Sequence, residues 1–279
     1  MNPSSNYARV LDTELHYMEW GAGHADTVIA WHGLARTGRD MDDIAAHLAQ
    51  RWRVICPDTI GRGLSQWSRD PAREYCFAHY EQLAVALLDH LGLGRVSWLG
   101  TSMGGALGLR AAAGVLRGRV ERLVLNDIGP EVAAPAIARI RNYAGSPPAF
   151  DTVGELEAYF RTVYKPYGPM SEAQWRRLTE TSTRHLPDGR VTPHYDPAMV
   201  QQFIHHPHDY DQWDAWGRLD IPVLVLRGAD SDLLEPQVAR WMIERHRHAT
   251  LITVPGCGHA PALNTAQHFA WVDDFLAGR

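Results

Sequence analysis

The sequence predicts an α/β protein with a mostly parallel sheet that is covered by helices on both faces. Short apolar runs of strand length alternate with helix-like segments along most of the chain. Several of these runs end in glycine-containing turns, as in 32–34, 100–104, 227–232 and 255–259. Because functional side chains in parallel sheets follow strand ends, these turns are candidates for an active site.

The individual elements follow from periodicity and stop signals. Gly92 ends one amphipathic stretch, Pro236 begins another, and the last stretch has one apolar face. In chain order the pattern predicts a hairpin over 11–20, strands over 28–31, 53–56, 96–99, 223–226 and 251–254, a further strand ending before Asp127, and helices over 80–91, 236–246 and 265–276.

Length and composition restrict the function classes. A chain of 279 residues fits one large domain, or a core with an inserted subdomain. The net charge of −5 and the absence of a Lys/Arg-rich run argue against nucleic-acid binding. The apolar runs are too short to span a membrane, and the N-terminal residues lack a signal-peptide pattern. The three cysteines form no CxxC motif, so we expect a cytoplasmic protein with neither a nucleic-acid nor a membrane partner.

The segment 100–104, Gly-Thr-Ser-Met-Gly, has the spacing of a nucleophile elbow. In such a turn the serine lies between a strand and a helix with strained backbone angles, so that its oxygen stands clear of the sheet. Side chains two positions away on either side would collide with neighbouring elements, which favours glycine there. Ser102 is therefore the predicted nucleophile.

A histidine that could activate this serine follows the last predicted strand. His259 lies between the small residues of 256–260, which permit a tight loop. A serine hydroxyl needs such a base because it is a poor nucleophile when unassisted. The 32–34 turn stands where a loop could supply an N–H to an oxyanion hole, so Leu34 and Met103 are the predicted donors.

Four motifs in this order, at 32–34, 58–65, 100–104 and 255–259, resemble the α/β-hydrolase superfamily over essentially the whole chain. The resemblance implies an eight-stranded, mostly parallel sheet with an inserted helical cap. It implies a core over 1–130 and 217–279 and a cap over 131–216, where aromatic residues are frequent and the strand pattern stops. Capping boxes are expected at Thr152 and Ser171.

The superfamily pattern also implies a carboxylate that orients the histidine. The residues after the 223–226 strand favour Asp232, while Asp230 in the same loop and Asp127 after the preceding strand remain open alternatives. Ser102 argues against dehalogenases and epoxide hydrolases, since those relatives use an aspartate nucleophile.

These residues predict a serine hydrolase acting through an acyl-enzyme on carboxylic esters of small to medium, moderately hydrophobic substrates. Arg36, beside the oxyanion loop, and Trp213 in the cap are the predicted substrate-binding residues. No cofactor or metal is expected, and the assembly is predicted to be a monomer or homodimer. A lactonase, a thioesterase, a hydrolase of C–C bonds in meta-cleavage products, and a ligand receptor of the same fold without turnover remain alternatives.

Overall fold

A computed structural model describes residues 2–279 of the chain. Its strands are β1 (Ser4–Val10), β2 (Thr13–Trp20), β3 (Thr27–Trp31), β4 (Arg53–Pro57), β5 (Val96–Thr101), β6 (Val120–Asn126), β7 (Thr183–His185), β8 (Val191–Pro193), β9 (Val223–Gly228) and β10 (Ala249–Val254). An eight-stranded sheet in the order β1-β2-β4-β3-β5-β6-β9-β10 forms the centre, and β7 and β8 form a two-stranded sheet.

Helices connect these strands and cover both faces of the large sheet. They are α1 (Asp42–Leu48), α2 (Pro71–Glu74), α3 (Phe77–His90), α4 (Met103–Ala113), α5 (Ala134–Ala144), α6 (Val153–Val163), α7 (Glu172–Thr181), α8 (Gln202–His205), α9 (Trp213–Arg218), α10 (Pro236–Arg245) and α11 (Ala266–Leu276). Short 3₁₀ turns cover Gly38–Met41, Lys165–Tyr167 and Pro197–Gln201.

The predicted mostly parallel sheet is confirmed. Strands β4, β3, β5, β6, β9 and β10 pair in parallel, whereas β2 pairs antiparallel with both β1 and β4. The predicted hairpin was placed too late in the chain, because 11–20 covers only its turn and its second strand. The first strand lies at the edge of the sheet and buries only Ala8 and Val10, so no apolar run marks it in the sequence.

Strand β3 shows why the sheet needs cover on both faces. All five of its residues are buried. Ile29 and Trp31 face one apolar cluster, and Val28 and Ala30 face the other. Such a near-continuous apolar strand is typical of a parallel sheet between two helical layers.

Between β6 and β9 the chain leaves the sheet and forms an inserted segment that contains α5 to α9. Thr152 and Ser171 cap α6 and α7 with the two capping boxes that the sequence predicts. The segment also contains the β7–β8 hairpin. The sequence does not predict this hairpin, because three-residue strands are too short to show an alternating pattern. Phe160 and Trp175 belong to a separate apolar cluster inside this segment.

The later part of the inserted segment is tied to the core by hydrogen bonds. The Gly63 N–H donates to the His194 carbonyl at 3.0 Å, and the Asp196 N–H donates to the Gly61 carbonyl at 2.7 Å. The Tyr75 hydroxyl also donates to the Asp196 carboxylate at 2.6 Å. In contrast, α5 buries only Ala136 and Ala144.

Candidate active site

Ser102 stands on a sharp turn between β5 and α4, with φ 52° and ψ −118°. A non-glycine residue adopts these angles only under strain, which the surrounding packing must hold in place. A Cβ on Gly100 would lie 2.3 Å from the Gly104 backbone, and a Cβ on Gly104 would lie 2.4 Å from the Trp31 carbonyl oxygen. The glycines thus permit the close approach of strand and helix that makes the turn possible.

His259 contacts Ser102 from the loop that follows β10. Its Nε2 lies 2.9 Å from Ser102 Oγ, which can donate a hydrogen bond to it. Its Nδ1 lies 2.7 Å from an Asp127 carboxylate oxygen and donates to it in the matching tautomer. The side chain of His259 is 20% exposed and that of Asp127 is fully buried. The three residues form a continuous serine–histidine–aspartate chain of hydrogen bonds.

Sheet register places Asp127 beside the serine. Thr101 and Asn126 pair across the parallel strands β5 and β6, and each is followed directly by one of the two site residues. The Ser102 N–H also donates to the Asn126 carbonyl at 2.9 Å. Adjacent parallel strands therefore hold the serine and the aspartate at one edge of the sheet.

Three donors satisfy the buried Asp127 carboxylate. One oxygen accepts the Gly228 N–H at 2.8 Å, while the other accepts the Ser231 hydroxyl at 2.5 Å and the His259 ring N–H. Because a buried carboxylate is stable only when it is hydrogen-bonded, this set of donors explains how Asp127 fits in a fully buried position.

The prediction that Asp232 orients the histidine is wrong. Its side chain is 56% exposed and forms an ion pair with Arg139 of α5. Asp230 is also exposed, and only Ser231 between them turns its side chain inward. The loop after β9 thus contributes a hydroxyl to the site, and the carboxylate comes from β6. A signal for this was present in the sequence, since Asp127 follows the strand next to that of Ser102.

The two predicted oxyanion-hole donors are placed close to the nucleophile. Leu34 follows β3 and lines the same cavity as Ser102. Met103 follows Ser102 directly and is the first residue of α4. Within residues 2–279 neither backbone N–H donates a hydrogen bond to another residue. Both N–H groups are therefore free to bind a substrate oxygen, and the positive end of α4 would favour a negative one.

His32, in the oxyanion loop, has a structural role. Its Nδ1 donates to the Gly33 carbonyl at 2.6 Å, and its Nε2 accepts the Thr59 N–H at 2.9 Å. Only a neutral ring can make both bonds. Burial lowers the pKa of His32 to about 4, which keeps the ring in this form.

A cavity of about 440 Å³ opens from Ser102 and His259 towards the inserted segment. The core supplies the oxyanion loop and the histidine loop, and the inserted segment supplies much of the opposite wall. Five tyrosine side chains belong to that wall, those of Tyr143, Tyr159, Tyr164, Tyr167 and Tyr195. The inserted segment therefore closes over the site as a cap.

Arg36 lines this cavity, as the sequence suggests, but its charge is already balanced. Its Nε and Nη2 donate to the Asp40 carboxylate at 2.6 and 2.5 Å, and Nη2 also donates to the Ser182 hydroxyl. The Tyr164 ring lies 4.5 Å from the guanidinium carbon. The side chain thus joins the core to the cap.

Trp213 is not placed in the cavity wall, which corrects the prediction that it binds substrate. Its indole N–H donates to Glu131, its ring packs edge-on against Trp241, and Arg245 lies over it at 4.6 Å. These contacts account for the aromatic side chain as a packing residue between α9 and α10. The aromatic composition of the segment could not distinguish packing residues from pocket residues.

No group of three or more His, Cys, Asp or Glu side chains within residues 2–279 could hold a metal ion. No helix in the same range is both long and apolar enough to cross a membrane.

The fold and the site together define a hydrolase. The core is a mostly parallel sheet, the serine stands on a strained strand-to-helix turn, and a histidine–aspartate pair lies beside it. The chain belongs to the alpha/beta hydrolase family, whose family model matches residues 28–272.

Among relatives, a 3-hydroxybutyrate-oligomer hydrolase of Cupriavidus necator is 36% identical and is covered over 92% of its length by 94% of this chain. A 2-hydroxy-6-oxononadienedioate/2-hydroxy-6-oxononatrienedioate hydrolase of Pseudomonas putida is 27% identical, with 98% of this chain covering 96% of it. The crystal structure of an alpha/beta hydrolase from Novosphingobium aromaticivorans is 33% identical, with a TM-score of 0.88 and coverage of 99% and 98%.

Proposed function

We propose that this hydrolase cleaves carboxylic esters through an acyl-enzyme on Ser102. The observation that carries the proposal is the hydrogen-bonded series Ser102–His259–Asp127, which borders the large cavity beside two free backbone N–H groups. Each part has the position that acyl transfer requires, with a nucleophile, a base, an orienting carboxylate and donors for the oxyanion.

In the first half-reaction Ser102 Oγ attacks the ester carbonyl carbon while its proton passes to His259 Nε2. The carbonyl oxygen becomes an oxyanion, which accepts hydrogen bonds from the N–H groups of Leu34 and Met103. Asp127 stabilises the imidazolium that forms. The carbon–oxygen bond to the alcohol then breaks, and His259 returns the proton to the leaving oxygen.

In the second half-reaction water takes the place of the alcohol. His259 removes a proton from the water as its oxygen attacks the acyl carbon on Ser102. The resulting oxyanion collapses, the bond to Ser102 Oγ breaks, and the serine recovers its proton from His259. The products are one carboxylic acid and one alcohol.

Small to medium, moderately hydrophobic esters fit the cavity best. Ile140, Val163 and Leu233 supply apolar wall, and five tyrosines in the same wall carry hydroxyl groups suited to an oxygen-bearing substrate. Esters of hydroxy acids are one such class, because an oligomer of 3-hydroxybutyrate is joined through ester bonds. The similarity to a hydrolase of these oligomers supports this class for the present chain.

Hydrolysis of a C–C bond is the second candidate function, since the Pseudomonas putida relative hydrolyses a 2-hydroxy-6-oxo dienedioate. Arg36 and Arg139 are the cationic side chains of the cavity wall, and they pair with Asp40 and Asp232 respectively. These pairings offset the positive charge that would attract a diacid, which favours neutral esters, while the buried Nη1 of Arg36 has no hydrogen-bond partner within residues 2–279. Lactones and thioesters react through the same steps and remain close competitors.

A substrate panel tests the proposal. Purified enzyme would be assayed with p-nitrophenyl acetate, a lactone, an acyl thioester and a vinylogous diketone, and the active-site serine would be titrated with an organophosphonate. We expect the aryl ester to have the highest kcat/KM. The phosphonate should add the mass of one covalent adduct to the peptide containing Ser102. Turnover of the diketone alone would replace ester hydrolysis with C–C hydrolysis. Stoichiometric binding without turnover of any substrate would favour a receptor.

A further inference from the structure

A second, much smaller cavity also lies against Ser102. It measures about 20 Å³ and shares Leu34, Ser102, Ile140 and Leu233 with the large cavity. Its remaining wall comes from Ile128, Val132, Ile137, Phe203 and Tyr210. We call this space the small pocket. Apart from Ser102 and the Tyr210 hydroxyl its side chains are hydrocarbon.

The two cavities differ in their relation to the histidine. His259 and its neighbour Gly258 line the large cavity, and neither lines the small pocket. When the tetrahedral intermediate collapses, His259 must deliver its proton to the leaving alcohol oxygen. The alcohol half of an ester must therefore lie on the His259 side, in the large cavity. The acyl chain, on the opposite side of the carbonyl carbon, points towards the small pocket.

The size of the small pocket limits that chain. The small pocket offers about 20 Å³ of space against about 440 Å³ in the large cavity, so it favours a short acyl chain over a long one. The apolar lining would stabilise a short alkyl group and offers few partners to a charged one.

The walls of the small pocket differ in how firmly they are held. Phe203 stacks on Tyr210 with ring centroids 5.8 Å apart, and Tyr210 packs edge-on against the buried Phe77. Val132 and Ile137 lie in the first part of the inserted segment and are only partly buried. These two side chains can thus be shortened with less disturbance to the core.

We propose that the small pocket selects short acyl groups, so that the enzyme acts on short-chain acyl esters of larger, oxygen-bearing alcohols. The large cavity accepts the alcohol, because it has about 440 Å³ of space and is lined by tyrosines and by Arg36, whose types of side chain suit an oxygen-rich group. This inference rests on the proposed ester hydrolysis at Ser102 and adds which half of the ester is restricted.

Two substrate series test it. In the first, p-nitrophenyl acetate, butyrate and octanoate vary the acyl chain with one leaving group. In the second, acetate esters of ethanol, benzyl alcohol and naphthylmethanol vary the alcohol, with acid release followed by pH-stat. We expect kcat/KM to fall by at least about tenfold from butyrate to octanoate, since one misplaced methylene changes it by about 10–200-fold. The alcohol series should vary by less than about fivefold.

Matched variants then assign the restriction to the small pocket. Val132→Ala and Ile137→Ala should each raise the octanoate-to-acetate ratio of kcat/KM by about tenfold. Val163→Ala, the same truncation in the large cavity, should leave that ratio within about twofold of the wild type. Each ratio is measured on one sample, so a partly unfolded preparation does not alter it. Phe203→Leu, which enlarges the small pocket from α8, should raise the same ratio.

The results separate this inference from the proposed function. Equal rates for all acyl lengths, or a ratio that changes equally in Val132→Ala and Val163→Ala, would overturn the acyl restriction and leave ester hydrolysis standing. A steep dependence on the alcohol with none on the acyl chain would reverse the assignment and also refute the inference. Failure of the wild type to cleave any ester would refute the proposed function itself.

Discussion

At the scale of single residues, Asp127 is the side chain on which the orientation of His259 depends. It adopts a positive φ of 56°, a conformation that aspartate tolerates better than most residues. Its carboxylate then accepts three hydrogen bonds in a place that water does not reach.

Replacing Asp127 tests this role. Asp127→Asn should lower kcat for p-nitrophenyl acetate by about 10⁴-fold, because an amide favours the wrong imidazole tautomer. Asp230→Asn and Asp232→Asn are the controls and should each change kcat by less than about threefold, since both side chains are exposed and neither contacts His259. A larger loss in Asp232→Asn than in Asp127→Asn would return the role to the loop after β9.

Ser231 should matter to catalysis although it touches no substrate. Its hydroxyl donates to the same Asp127 oxygen that accepts the His259 ring N–H, so its removal frees that oxygen to shift and makes it more basic. Ser231→Ala should lower kcat by about 10-fold with little change in KM and move the pH–rate profile to higher pH. Ser231→Thr, which keeps the hydroxyl, should restore both. A rise in KM with no change in kcat or in the pH–rate profile would argue for a merely structural role.

At the scale of elements, local signals and register decide what a sequence can show. The capping boxes at Thr152 and Ser171 were predictable because each involves residues three apart in one helix. The elbow around Ser102 was predictable for the same reason. The position of the carboxylate was not, since it depends on whether the loop after β6 or the loop after β9 turns its aspartate inward. The sequence pattern favoured Asp232, with Asp230 and Asp127 as alternatives.

The N-terminal cap of α6 provides a test at this scale. The Thr152 side chain accepts the Glu155 N–H, and the Glu155 carboxylate accepts the Thr152 N–H in return. Thr152→Ala should lower the free energy of unfolding of the inserted segment by about 1 kcal/mol, as loss of a helix N-cap does in other proteins. Urea unfolding followed by tryptophan fluorescence measures it, with Thr162→Ala near the other end of α6 as the control. Equal destabilisation by both changes would contradict the cap assignment.

At the scale of the whole molecule, buried neutral histidines make stability depend on pH. The pKa of folded His32 is about 4, whereas an unfolded histidine has a pKa of about 6.5. Between these values the unfolded chain binds more protons, so the contribution is present above about pH 6.5 and is lost as the pH falls towards 4. Burial also lowers the pKa values of His79, His194, His246 and His268, which act in the same direction.

Acid titration of stability should show this effect. Between pH 7 and pH 4 the His32 contribution amounts to about 3 kcal/mol of unfolding free energy. In His32→Asn, whose amide can still accept the Thr59 N–H, the decrease over this range should be smaller by about that amount. Urea unfolding at several pH values measures both proteins. Parallel pH profiles would show that His32 does not titrate on unfolding.

The unequal attachment of the inserted segment gives the cavity a preferred side for opening. The hydrogen bonds around His194 and Asp196 fasten one end of the cap to the core, whereas α5 is held by the exposed Arg139–Asp232 pair and a few partly buried side chains. Local opening is easiest where few backbone groups and little apolar surface are buried. The amide protons of α5 should therefore exchange with deuterium well before those of 195–201. Substrate and product would pass beneath α5, which would carry Tyr143 with it, and the wall formed by Tyr159, Tyr164, Tyr167 and Tyr195 would stay closed during each turnover.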